Sequence, residues 1–216
     1  CRKIINEIEL KIRIVYFDFN FWRVDILRLC LSYKNIPYEY VRVPRKDWLD
    51  FKEKYPFEQL PILEINGKIH CHTHSLAIFC SSITNLYDSD IENQLIINQI
   101  IDWANEITYR IAHSIREKNE VKSKKLRKIF IQKDFFTWFR FLEKFYIENS
   151  KNCFFTGKFS VADITAWRVI RWFLSGQLEQ IPVDFIKDFP ELNKFYNRIC
   201  GDRKFSDLIE FKEIMD

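Results

Sequence analysis

Read from residue 11 onward, the apolar and polar positions of this chain change rhythm once. "KIRIVYFDF" is a β-branched and aromatic run, "VDILRLCLSYKN" carries helical spacing, and "PYEYVRVP" alternates again. "PILEI", the dipeptide "NG" and "KIHCH" then predict a hairpin, because Asn-Gly supplies the left-handed residues of a two-residue turn. "SLAIFCSSITNLY" follows as a helix, with Ser75 as its N-cap. Counting the short segment around "DWLDFK" as a helix, the order is β-α-β-α-β-β-α. That describes a small α/β domain over residues 9–84, closed by the polar linker "YDSDIEN".

From about residue 90 no strand pattern competes. "IENQLIINQIIDWANEITYRIAHSIREK", "KDFFTWFRFLEKFYIENS", "SVADITAWRVIRWFLSG", "PELNKFYNRICGD" and "FSDLIEFKEIM" each read as helix, so residues 90–216 form an all-helical second domain. The fold class is therefore α/β followed by all-α. In "FSVADITAW" a reciprocal capping box is expected between Ser160 and Asp163, with Phe159 stapled on Ile164. The aromatics of "FFTWFRFLEKFYI" recur at helical spacing and are assigned to core packing.

Composition narrows the classes. With 216 residues, 47% hydrophobic and 17% aromatic, the chain is long and apolar enough to fold without staples. Its 34 basic and 30 acidic residues nearly balance at +4, which argues against a nucleic-acid partner. The densest basic stretch, "REKNEVKSKKLRK", also carries Glu117 and Glu120 and reads as a solvated helix end or loop. Six cysteines (1, 30, 71, 80, 153 and 200) lack CxxC pairs, as expected of reduced thiols. The apolar runs are too short to span a bilayer, and "CRKIINEIEL" has no leader-like core. A cytoplasmic location without membrane association is the expectation.

The sharpest local signal is "HCHTH": His70, His72 and His74 alternate, so an uninterrupted strand would put three imidazoles on one face. Zinc is the metal such a set would take. No carboxylate accompanies the set nearby in sequence, and the reading adopted is a polar strand edge with no metal.

Together, "VYF", "DWLDFK", "PFEQLPILEINGK", "SLAIF" and "FSVADITAW" resemble the cytosolic glutathione transferases, most closely the sigma class, over residues 10 to 212. The resemblance implies a thioredoxin-like first domain, an all-helical second domain and a homodimer. It implies glutathione as co-substrate, no further cofactor, and a small hydrophobic electrophile as the second substrate. Conjugation is the activity expected; the alternatives are a prostaglandin D synthase type of isomerase and a non-catalytic binding module of the same fold.

Residue by residue, the resemblance gives Tyr16 the catalytic role of donating a hydrogen bond to the glutathione sulfur. Pro61 matches a cis-proline, and Gln59 and Leu60 before it would pair with the tripeptide backbone. Ser75 and the free helix amides would take the γ-glutamyl carboxylate, Trp48 and Lys52 the glycyl carboxylate. His74 stands where the family usually has Gln. "DFNFWRVD" replaces an Arg-Gly-Arg-like loop, is one residue longer and lacks Gly, with Arg23 matching the second arginine and Phe21 and Trp22 reshaping the pocket. Asp102 or Glu106, four apart on one helix face, would reach the neighbouring subunit's ligand. Tyr109, Phe136 and Trp172 are candidates for the electrophile's surroundings.

Overall fold

The structure is a computed structural model that describes residues 10–216. The leader reading of the N-terminal stretch, the domain start at residue 9 and the thiol of Cys1 fall at least partly outside the described residues. The chain divides into two compact units, one made of residues up to Thr84 together with Leu208–Asp216, the other of Asn85–Asp207.

In the first unit, β1 (Ile12–Phe17), α1 (Trp22–Tyr33) and β2 (Glu39–Val43) form a parallel pair joined by a crossover helix. A short α2 (Trp48–Phe51) sits among single 3₁₀ turns, and β3 (Ile62–Ile65), β4 (Lys68–Cys71) and α3 (Thr73–Ile83) follow. The four-stranded sheet has the order β2-β1-β3-β4, with β3 antiparallel to both its neighbours. This is the expected β-α-β-α-β-β-α order. Asn66 and Gly67 take φ of 50° and 83°, the left-handed pair a two-residue hairpin needs. Ile14, Val15, Ile26, Leu27, Ile62, Leu63, Leu76 and Ala77 are fully enclosed and form the core between sheet and helices.

The second unit is helical: α4 (Ile91–Arg116), α5 (Glu120–Phe130), α6 (Phe136–Asn149), α7 (Val161–Leu174), α8 (Pro190–Gly201) and α9 (Arg203–Ser206). Its polar entry is a cap, since Asp90 accepts from the Glu92 and Asn93 amides at 3.0 Å. Phe135, on a single π-helical turn between α5 and α6, meets Phe139, Phe173 and Phe185 at ring distances of 4.9–5.2 Å. Core packing for the aromatics of α6 is thus observed at Phe139. At the start of α7 the capping box forms, while Phe159 lies edge-on to Phe154 and Phe205.

Three expectations change. The basic stretch takes in the last residue of α4 and the loop at 117–119 as expected, but most of it is a helix of its own, α5, opened by the Asn119 side chain accepting from the Lys122 amide. "FSDLIEFKEIM" is not one helix: it breaks at Asp207 and Leu208 into α9 and α10 (Ile209–Met215). Finally, α10 belongs to the first unit, whereas helical pattern alone had assigned all of 90–216 to the second. The physical reason is polar. Glu213 holds the Arg28 guanidinium at 2.6 Å and Glu210 accepts from the Tyr38 hydroxyl. Arg28 is 4% exposed, so without that carboxylate a buried cation would depend on Asp25 alone, 3.8 Å away.

Candidate functional site

Tyr16 is the next-to-last residue of β1 and is 4% exposed. In the antiparallel register Val15 faces Ile62 at the end of the β1–β3 ladder, and Tyr16 and Pro61 are the residues next to that pair along the chain. The pairing of β3 starts only at Ile62, so Gln59, Leu60 and Pro61 lie just past its end. The Leu60–Pro61 peptide is cis, as the resemblance implied. Gln59 is exposed; Leu60 and Pro61 are buried.

Burial pushes the Tyr16 phenol well above its ordinary pKa; the positive charges of Arg23 and Arg45 pull it down only in part. The group is consequently a neutral O–H, a donor and not a phenolate, throughout the physiological range. Its ring lies edge-on to Phe17 and Phe19, at 5.4 and 5.6 Å. Phe19 stacks on Phe17, and Trp48 meets Phe17 edge-on at 5.1 Å while stacking on Tyr55 at 6.0 Å. A run of rings therefore ties Trp48 to the strand that carries Tyr16.

The loop after β1 differs from expectation. Trp22 is fully buried as the first residue of α1, so its indole fills core instead of reshaping a pocket. Phe21 is the half-buried N-cap residue, and Arg23 lies with its guanidinium 5.7 Å from the Trp22 ring centre. The bulk beside Tyr16 comes instead from Phe19, which sequence reasoning passed over. Arg42 steadies this loop by reaching Asn20 at 3.1 Å and Asp18 at 3.5 Å.

Ser75 is not the N-cap. The helix begins two residues earlier, at Thr73, with His72 as the flanking residue at φ 70°. The first intrahelical bond is Leu76 N–H to His72 C=O at 3.0 Å. Ser75 is thus the third helical residue and exposed, at the end where first-turn amides point outward. His74, half-buried, is the second. The same turn disposes of the histidine face: His70 is in β4, His72 turns out of the strand to contact the Phe57 ring at 4.6 Å, and His74 is helical. Among the described residues no group of three His, Cys, Asp or Glu side chains could hold a metal ion.

Lys52, on the turn after α2, is half-buried, and its ammonium stands 2.7 Å from the Glu58 carboxylate. Hydrogen bonding to Glu58 raises its pKa above the ordinary lysine value. Glu58 went unnoticed in the sequence, although it lies six residues from Lys52 and next to Gln59.

In the second unit, Asp102 and Glu106 are both exposed on α4. Glu106 lies 3.8 Å from Arg110, which pairs with Asp134 at 2.7 Å and covers the Trp138 ring at 4.0 Å. Tyr109 is exposed, Phe136 half-buried and Trp172 buried. No helix among the described residues is long and apolar enough to cross a membrane.

Comparison with known proteins decides the family. The model of the glutathione S-transferase N-terminal domain matches residues 24–79, and that of the C-terminal domain matches residues 105–206. The chain belongs to the glutathione S-transferase family. A glutathione S-transferase of Anopheles gambiae is 32% identical over 101 residues, covering 46% of this chain and 50% of the relative. Glutathione S-transferase S1 of Drosophila melanogaster is 35% identical over 101 residues, covering 46% of this chain and 41% of the relative. The aligned part of the chain thus spans about half the length of these curated relatives or less. The solved structure of prostaglandin synthase D of Nilaparvata lugens superposes with a TM-score of 0.81 at 24% identity, covering 93% of this chain and 97% of that one. At that identity the superposition speaks for the shared fold: a thioredoxin-like unit and a helical one. Tyr16 lies before the segment the N-terminal model matches.

Proposed function

We propose that this chain is a sigma-like glutathione transferase that joins the glutathione sulfur to hydrophobic electrophiles, with Tyr16 as the donor that activates the thiol. The observation that carries the reading is a buried neutral phenol one residue beyond the Val15–Ile62 pair that ends the β1–β3 ladder, with the Gln59–Leu60–Pro61 segment leading into that same pair.

A free thiol with a pKa near ~8.5 is mostly protonated at neutral pH, and only the thiolate attacks well. A hydrogen bond to a charged acceptor contributes about 1.5–3 kcal/mol, and one pKa unit corresponds to about 1.4 kcal/mol. One phenol therefore lowers the thiol pKa by about one to two units, provided it stays protonated itself. The high pKa of Tyr16 meets that condition.

In this reading Leu60 pairs its main chain with the cysteinyl part of the tripeptide, as an added strand would, with Gln59 and Pro61 flanking it. Ser75, His74 and the first turn of α3 take the γ-glutamyl carboxylate. Trp48 and Lys52 take the glycyl carboxylate, and Arg23 supports the thiolate side. Asp102 or Glu106 would reach the ligand of the second subunit of a homodimer. The helical unit would supply the apolar co-substrate surface, with Tyr109, Phe136 and Trp172 as its candidates. Detoxification in the cytoplasm is the role that fits such chemistry.

Initial rates of conjugation to a halogenated dinitrobenzene test the proposal in the wild type and in Tyr16→Phe, with chelator present. Turnover that falls at least tenfold in the variant, about 1.4 kcal/mol of barrier, is expected. A wild type that neither turns over nor binds glutathione would favour the non-catalytic module. Turnover of a prostaglandin endoperoxide without conjugation would favour the isomerase, which uses the same thiolate.

A further inference from the structure

The Lys52–Glu58 pair places a carboxylate of the chain on the cation that the proposed function assigns to a carboxylate of the ligand. If Lys52 takes the terminal carboxylate of the tripeptide, a carboxylate of the chain itself already sits on it, with one oxygen 2.7 Å from the ammonium. The loop is shaped to bring it there. Phe57 and Glu58 both adopt left-handed backbone, φ 58° and 48°, consecutive positions that non-glycine residues rarely take. That double turn folds the chain back towards Lys52 immediately before Gln59 and Leu60. Both side chains keep contact with solvent, 32% exposed for Lys52 and 52% for Glu58, so an incoming anion can reach the pair.

We propose that Glu58 is a built-in competitor for glutathione: its carboxylate mimics the glycyl carboxylate on Lys52 and must swing away before the tripeptide seats fully. The inference rests on the proposed function and adds a residue that sets affinity and selects the ligand's C-terminal group. A ligand without a terminal carboxylate gains nothing from displacing Glu58; one with it exchanges one ion pair for another. The net effect of such a latch is weaker binding, by an amount set by a solvent-exposed pair and hence modest.

Calorimetric binding of glutathione and of its glycyl monoethyl ester, to wild type and to Glu58→Gln, provides the test. Glu58→Gln is expected to bind glutathione two- to fivefold more tightly and the ester with unchanged affinity. In a Lys52→Met background the gain should vanish. An equal gain for glutathione and ester would overturn the proposal, because it would mark a general relaxation of the loop. Weaker binding of glutathione by Glu58→Gln would also overturn it, by showing that Glu58 orients Lys52 for the ligand, as would unchanged binding. If neither protein binds glutathione, the reading of function fails and the role of Glu58 falls with it.

Discussion

The two units bury carboxylates in opposite ways. In the helical unit, Asp163 is fully buried and satisfied by its own neighbourhood: the Ser160 amide at 2.8 Å, the Ser160 hydroxyl at 2.9 Å and the Phe155 amide at 3.1 Å. In the sheet-containing unit, the buried pair Asp25 and Arg28 is completed by Glu213, 185 residues away along the chain. One arrangement forms as soon as a helix does; the other needs the chain to return. The first is a local cap and the second a long-range clasp, and they fail differently.

Removing the local carboxylate carries the largest expected effect. Asp163→Ala leaves two buried amides unpaired, at about 1–3 kcal/mol each, so urea unfolding should show a loss of about 3 kcal/mol or more. The clasp should yield less because Glu213 is 40% exposed and water can partly replace it. Glu213→Gln is expected to lower stability by about 1–2 kcal/mol, and a loss as large as that of Asp163→Ala would erase the contrast. Glycines sharpen it further. Gly157, at φ 75°, would bring an added Cβ to 3.1 Å from the Lys151 Cβ, whereas Gly67, at φ 83°, meets nothing within 4 Å. Ala at 67 should therefore cost only the left-handed backbone, about 1 kcal/mol, and Ala at 157 more than that.

Acidity gives a subtler probe. Burial pushes the Asp163 carboxyl up to about 7, against the pull of its hydrogen bonds. A raised folded pKa means that the folded state holds a proton the unfolded chain has released, from the ordinary carboxyl range up to about 7. Stability from this group is therefore greatest at low pH and falls as pH rises through that window. Urea midpoints at pH 5 and 7.5 should differ in that direction, and Asp163→Asn should flatten the difference.

The same contrast explains what the sequence revealed. Signals that act over a few residues were legible: the Asn66-Gly67 turn, the Ser160–Asp163 box, the alternation of β1, and the segment before Pro61. Signals that depend on chain return were not. Nothing near Glu210 or Glu213 announces Tyr38 or Arg28, so α10 was read into the wrong unit by helical pattern alone. At the candidate site, Tyr16, Trp48, Lys52 and Leu60 are assigned by resemblance to family motifs and not by any local pattern of the sequence. Glu58 was missed because a carboxylate in a loop carries no period, and only the left-handed turn at 57–58 aims it at Lys52. The N-cap was misplaced by three residues, at Ser75 instead of His72, because Ser is a strong N-cap type, whereas the helix opens behind His72, whose left-handed φ turns the chain after β4.

The clasp by α10 also bears on how the protein comes into being. During translation, Arg28 and Tyr38 leave the ribosome long before residues 208–216 are made, with the whole helical unit synthesised in between. Until then a guanidinium destined for burial lacks its main counter-charge. The unit that holds the sheet is thus begun before the helical unit and completed after it.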